Sequence, residues 1–160
     1  MNNKTRFITK AALIAAVYVI LTYVTNLFGL ANGAVQLRIS EALTVLPYFT
    51  SSAVPGLFVG CLISNLVTGC TAVDVIFGSI ATLLGAIGTR FLRRYKYLAP
   101  LPPIVANVAI IPLVLMYAAG VDLGWCYLAL TIGAGEVLSC GLLGIPLLKS
   151  LEKKAKFLFD

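Results

Sequence analysis

The sequence predicts an all-α polytopic membrane protein: one membrane-embedded domain over residues 1–160, folded as a bundle of six transmembrane helices with both termini in the cytoplasm. Three observations predict it. Hydrophobic residues make up 60% of the chain and charged residues 11%, against roughly half and about a quarter in soluble domains; mean hydropathy is +0.99. Turn signals divide the apolar sequence into six runs. The positive residues fall into three groups that six crossings bring to one side.

A hydrocarbon core of about 30 Å needs roughly 20 helical residues. The first helix is expected from about Phe7 to Leu30, and Asn32-Gly33 marks a turn after it. Met1 to Lys10 is basic, but the apolar run Leu13 to Leu30 that follows is longer than a signal-peptide core. The second helix, about Gln36 to Thr50, is short, and Ser51-Ser52 breaks it. Pro55 fits the first turn of the third, which runs to about Thr68. Gly69 to Thr71 turns the chain into the fourth helix, about Val73 to Leu92. Ala99-Pro100-Leu101-Pro102-Pro103 separates it from the fifth, about Ile104 to Ala119. Gly120 to Gly124 forms a loop, and the sixth helix runs from about Trp125 to Leu148 before a basic tail.

Cytoplasmic loops carry an excess of Lys and Arg. Lys4, Arg6 and Lys10 precede the first helix; Arg90, Arg93, Arg94 and Lys96 lie between the fourth and fifth; Lys149, Lys153, Lys154 and Lys156 follow the sixth. With six spans all three groups share one side. The net charge of +6 is then a topology signal and a contact for membrane lipid, and no basic surface is left for nucleic acid.

Once the cytoplasmic groups are set aside, including Glu152 and Asp160, five charges remain: Arg38, Glu41, Asp74, Asp122 and Glu136. Asp122 is a solvated loop residue. Arg38 and Glu41, three apart at the outer end of the second helix, either neutralise one another or face a site. Asp74 either caps the fourth helix after Thr71 or lines the same outer region. Glu136 lies mid-span, where a charge costs about 2.5–3.5 kcal/mol. No basic residue is within a turn of it, and Gly133 and Gly135 leave space beside it. Asn65 and Asn107 lie inside spans, as interhelical hydrogen bonds or as ligand contacts. These groups point to one polar cavity in the outer half of the bundle. Its acidic balance favours a cation or a flat base with an N–H edge, because a carboxylate accepts two parallel N–H bonds. Tyr48, Phe77 and Trp125 are candidates to stack on such a ring, although Trp125 and Tyr127 also fit an interfacial aromatic belt.

The chemistry this chain lacks is equally informative. It has no histidine, and Cys61, Cys70, Cys126 and Cys140 form no CxxC pair; they read as small apolar fillers, with no cofactor or metal expected. A disulfide between Cys70 and Cys126 has no support from spacing. No P-loop, HExxH or GxSxG appears, so neither ATP hydrolysis nor other enzyme activity is expected. Six spans are few for a carrier built of two repeats. A small binding bundle without a motor calls for an energised partner. Ala11-xxx-Ala15 and Ala12-xxx-Ala16 in the first helix would let another helix approach closely, as a docking face or as internal packing. Gly78, Thr82 and Ala86, with Ala81, Gly85 and Thr89, read as internal packing of the fourth.

VQLRISEALTVLP, Val35 to Pro47, closely resembles the segment that marks the queuosine-precursor transporter family (QueT), the substrate-binding S components of energy-coupling factor (ECF) transporters. The likeness extends over nearly the whole chain, from the alanine-rich first helix to the basic tail. It implies a six-helix bundle in the cell membrane that binds a 7-deazaguanine near the outer face. It also implies association, through Ala11, Ala12, Ala15 and Ala16, with a transmembrane T component and two ATPases. On this reading Glu136 or Glu41 accepts the N–H edge of the base, Asp74 neutralises an aminomethyl group, and Asn107, Asn65 or Arg38 donates to the ring carbonyl. Arg38 and Glu41 are then a unit at the cavity mouth, with Arg38 keeping Glu41 ionised. Two other readings compete: a stand-alone proton- or cation-coupled carrier of a small cationic heterocycle, titrating at Glu136, and a structural membrane subunit without a ligand.

Overall fold

The computed structural model describes residues 2–29, 37–118 and 120–154. The expected turn at Asn32-Gly33, the helix ends at Leu30 and Ala119, the start of the second helix at Gln36, and the tail residues Lys156 and Asp160 lie outside them. Among the described residues the chain is helical throughout, with no strand.

α1 (Asn3–Leu27) has 25 residues, about 38 Å at 1.5 Å per residue. α3 (Ala72–Phe91), α4 (Leu101–Tyr117) and the run Trp125–Glu152 are also long and apolar enough to cross a bilayer, α4 together with the short turn Lys96–Leu98 before it. That last run is α5 (Trp125–Glu136), a π-helical stretch (Val137–Leu143) and α6 (Gly144–Glu152). The second and third expected spans are shorter. α2 (Ala53–Val67) has 15 residues, about 22 Å long. The segment Ile39–Tyr48 is a 3-10 helix of 10 residues, about 20 Å. The α-helix expected there is thus corrected. Ser40 to Pro47 are all buried, and the segment contacts α1, α2, α3, the π stretch and α6. An element enclosed on every side has no polar face, so its sequence carries no periodicity to separate the two helix types. Thr44 Oγ1 bonds the Glu41 carbonyl three residues back at 2.6 Å, and Pro47 has no N–H to give.

The other boundaries follow local chemistry. Pro102 and Pro103, expected to precede the fifth helix, occupy the first turn of α4, where the missing N–H has no intrahelical partner to lose. Pro146 lies in the first turn of α6; it offers no N–H to the Leu142 carbonyl, and the wide π turns lie just before it.

Small residues let the helices close. A Cβ on Gly56 would meet the Ala11 carbonyl at 2.7 Å, and one on Gly60 the Tyr18 Cβ at 2.9 Å. A Cβ on Gly85 would lie 2.6 Å from Pro103 Cα. All six small residues expected to pack α3 are buried. The three basic groups meet at one end of the bundle. Lys96 Nζ bonds and ion-pairs with Glu152. Arg90 Nη1 donates to the Pro47 carbonyl at 3.2 Å. Asn3, Arg6, Thr50 and Ser52 line one surface depression at this end.

Candidate functional site

A polar cavity of about 290 Å³ lies at the opposite end, between α1, α2, α3 and α4. The turn between α2 and α3 forms one wall. Gly69, with φ +75°, takes a left-handed conformation open to glycine. Thr71 then caps α3: its Oγ1 accepts from the Asp74 N–H at 3.2 Å and donates to Asp74 Oδ2 at 2.9 Å. Asn65 Nδ2 donates to the Asp74 carbonyl at 3.4 Å, tying α2 to the first turn of α3. Both readings of Asp74 hold at once, since it belongs to the cap and lines the cavity. Thr22 and Asn26 line α1's side, and Ile111 and Leu115 give an apolar wall from α4.

Arg38 also lines the cavity. Its backbone N–H donates to Ser139 Oγ at 3.2 Å, while its guanidinium makes no hydrogen bond or salt bridge among the described residues. Direct neutralisation of Glu41 by Arg38, one of the two readings that their spacing allows, is therefore not seen among the described residues. Glu41 turns instead to α1, where the Tyr18 hydroxyl donates to its Oε1. Its Oε2 is buried and has no partner among the described residues.

Glu41 and Glu136 form a floor under the cavity rather than its lining. Tyr18 is one turn of α1 below Thr22, and Asn107 one turn of α4 below Ile111. Glu136 is 7% exposed. Its Oε1 accepts from Asn107 Nδ2 at 2.9 Å, and its Oε2 lies 3.3 Å from the Cys140 thiol. Thr22 Oγ1 donates to Ser40 Oγ at 2.8 Å and links mouth to floor. Of the polar groups expected to share one cavity, Arg38, Asn65 and Asp74 line it, whereas Glu41, Asn107 and Glu136 do not.

The three aromatic candidates fall outside both the cavity lining and the floor. Tyr48 stacks edge-on against Phe49 at 5.0 Å and packs on the cluster of Val45, Ala99 and Leu148, near the basic end. Phe77 and Trp125 are 46% and 43% exposed on the outside of the bundle. Each is placed by its helix rather than by the site, and the cavity has no aromatic wall among its described residues. Thr22, Asn26, Thr68, Cys70 and Thr71 line the cavity and were not expected. A signal for the first two exists: Tyr18, Thr22 and Asn26 recur every four residues along the first helix. All four cysteines are free thiols. The alanines divide: Ala11 and Ala15 face α2, whereas Ala12 and Ala16 are exposed.

The family model described as the QueT transporter matches residues 8–153. The chain belongs to the QueT transporter family. It is 37% identical over 96 residues to the queuosine precursor transporter QueT of Lactococcus lactis subsp. cremoris (strain MG1363); the match covers 59% of this chain and 56% of that relative. No solved structure matches it. As a member of the QueT transporter family with four membrane-length apolar helices among its described residues, it is a multi-pass membrane protein.

Proposed function

We propose that this chain is the substrate-capturing S component of an ECF-type importer. It takes a queuosine precursor of the 7-deazaguanine type, such as 7-aminomethyl-7-deazaguanine, from the outer face. The observation that carries the reading is the polar cavity at the end opposite the basic groups; the positive-inside pattern supports an outward position for that end and cytoplasmic termini. Its volume of about 290 Å³ matches the lower limit of small-molecule sites, roughly 300 Å³.

The donors and acceptors suit a flat base. Ile111 and Leu115 cover one face of the ring. Asp74 Oδ1, without a partner among the described residues, accepts from the N–H edge or the aminomethyl group. Arg38 and Asn65 donate to the ring carbonyl. Glu41 and Glu136 act from below: both Glu136 oxygens are already engaged, so its negative charge favours a cationic ligand more than its lone pairs anchor one. The chain has no nucleotide-binding motif; energy comes from a T component and two ATPases, which dock on the exposed Ala12 and Ala16 face of α1.

Calorimetric titration with 7-aminomethyl-7-deazaguanine, 7-cyano-7-deazaguanine and guanine tests this. Submicromolar binding that prefers the aminomethyl form and falls at least about tenfold in Asp74→Asn or Arg38→Gln is expected, each lost charged hydrogen bond being worth about 1.5–3 kcal/mol. No binding to any of the three rejects the substrate. The buried carboxylate pair favours a second reading, a stand-alone cation-coupled carrier, which uptake by the purified chain alone in proteoliposomes would select.

A further inference from the structure

We propose that Glu41, Glu136 and Cys140 form a site for one divalent cation of the zinc class, in the floor beneath the cavity. One ligand atom from each lies within 4.8 Å of the other two, and all three residues are buried. A tetrahedral ion with bonds of about 2.0–2.3 Å spaces its ligands roughly 3.5 Å apart. The Cys140 Sγ to Glu136 Oε2 separation, 3.3 Å, already fits that edge.

The second observation is Glu41 Oε2. Glu41 is 1% exposed, and this oxygen has no hydrogen-bond partner among the described residues. A buried carboxylate oxygen without one is costly and rare. The rest of the network shows what it is held for. Tyr18 fixes Glu41 through Oε1, and Asn107 fixes Glu136 through Oε1. Glu41 Oε2 is left without a partner among the described residues, and Glu136 Oε2 is held only by the Cys140 thiol, a contact that an ion shared by the two would replace. Outer contacts of this kind orient metal ligands.

Charge and donor type agree. Two buried carboxylates exceed the single positive charge of Arg38. If a dication binds and Cys140 loses its proton to solvent, the three anionic ligands, the ion and Arg38 together are neutral. Thiolate with carboxylate suits zinc better than magnesium or calcium, which prefer all-oxygen sites. No spacing in the sequence announces the site, because Glu41 and Cys140 are 99 residues apart. The π stretch brings Cys140 to the 3-10 helix, and π turns recur at functional sites. The inference does not rest on the substrate reading.

The test uses chelator-stripped, full-length protein in detergent and cadmium, whose thiolate complex has an ultraviolet charge-transfer band. The chain with Cys61, Cys70 and Cys126 replaced by serine keeps Cys140 alone. It is expected to bind one cadmium with that band, to release it to zinc, and to melt higher with zinc. Cys140→Ser abolishes the band. Tyr18→Phe weakens binding by about 10–100-fold, and Glu41→Gln by more. A sole-cysteine chain that melts cooperatively but gives no band overturns the proposal. So does cadmium binding as tight in Glu41→Gln as in the parent. The cysteine-only comparison stands even if Glu41→Gln does not fold.

Discussion

Along α1, two ways of holding a helix in lipid are one turn apart. Near the basic end, Ala11 and Ala15 lie against Gly56 and Gly60 so closely that a single added Cβ would come within 2.7–2.9 Å of α1. Nearer the cavity, the same helix meets the 3-10 segment through Tyr18–Glu41 and Thr22–Ser40 hydrogen bonds. The first contact depends on shape. It gains many weak dispersion contacts, and any extra volume breaks it. The second depends on polar partners that lipid cannot replace, and any missing partner breaks it. The division matches position in the bundle: close packing near the basic end, and polar groups toward the cavity.

The largest effect should come from filling the tightest seam. Gly85→Ala places a Cβ 2.6 Å from Pro103 Cα, a backbone atom that cannot rotate away. Overpacking of this kind costs about 1–3 kcal/mol or more, so the melting temperature in detergent should fall steeply or folded protein should not be recovered. Gly133→Ala is the control, since its nearest contact would be Val108 Cγ2 at 3.4 Å, an ordinary approach. Equal melting of the two variants would remove shape as the cause.

Next comes the polar seam. Tyr18→Phe keeps the ring but takes away the donor to Glu41 Oε1, leaving both carboxylate oxygens without partners among the described residues. A cost of about 1–3 kcal/mol follows. Adding Glu41→Leu should restore much of it, because replacing both partners of a buried pair by apolar groups is near neutral. If the double variant is as unstable as the sum of the singles, the pair is not the unit it looks. A smaller loss, about 1 kcal/mol, is expected for Thr71→Ala, which removes the cap of α3. It should also loosen the cavity wall, so ligand binding should weaken although Thr71 is not one of the proposed base contacts.

The two seams were unequally legible in the sequence. Shape leaves a short-range trace: small residues four apart pointed to packing on α3, and to a docking face or packing on α1. The basic groups likewise fixed which loops share an end. Single polar residues in apolar runs, such as Asn65 and Asp74, were enough to find part of the cavity lining. Their depth was not legible. Glu136 and Glu41 were read as cavity contacts, yet each is claimed by a partner far along the chain, Asn107 and Tyr18. Tyr48 was misplaced because its side chain points by the 3-10 register toward Leu148, and an element buried all round hides its register. The aromatic candidates Phe77 and Trp125 were chosen by type and closeness in sequence, and membrane helices place such residues outward as readily as inward.

The smallest effect on the isolated chain separates the two alanine pairs. Ala11→Leu puts three extra carbons into the contact with Gly56 and should lower the melting temperature. Ala12→Leu adds them on the exposed face of α1 and should leave melting unchanged. If that face receives the T component, the same substitution blocks close approach of a second helix, so co-purification with the partner subunits and ATP-dependent uptake should fall while ligand binding by the isolated chain persists. Should Ala12→Leu assemble and transport as the parent does, the exposed alanines only face lipid. The docking surface must then lie elsewhere on the bundle.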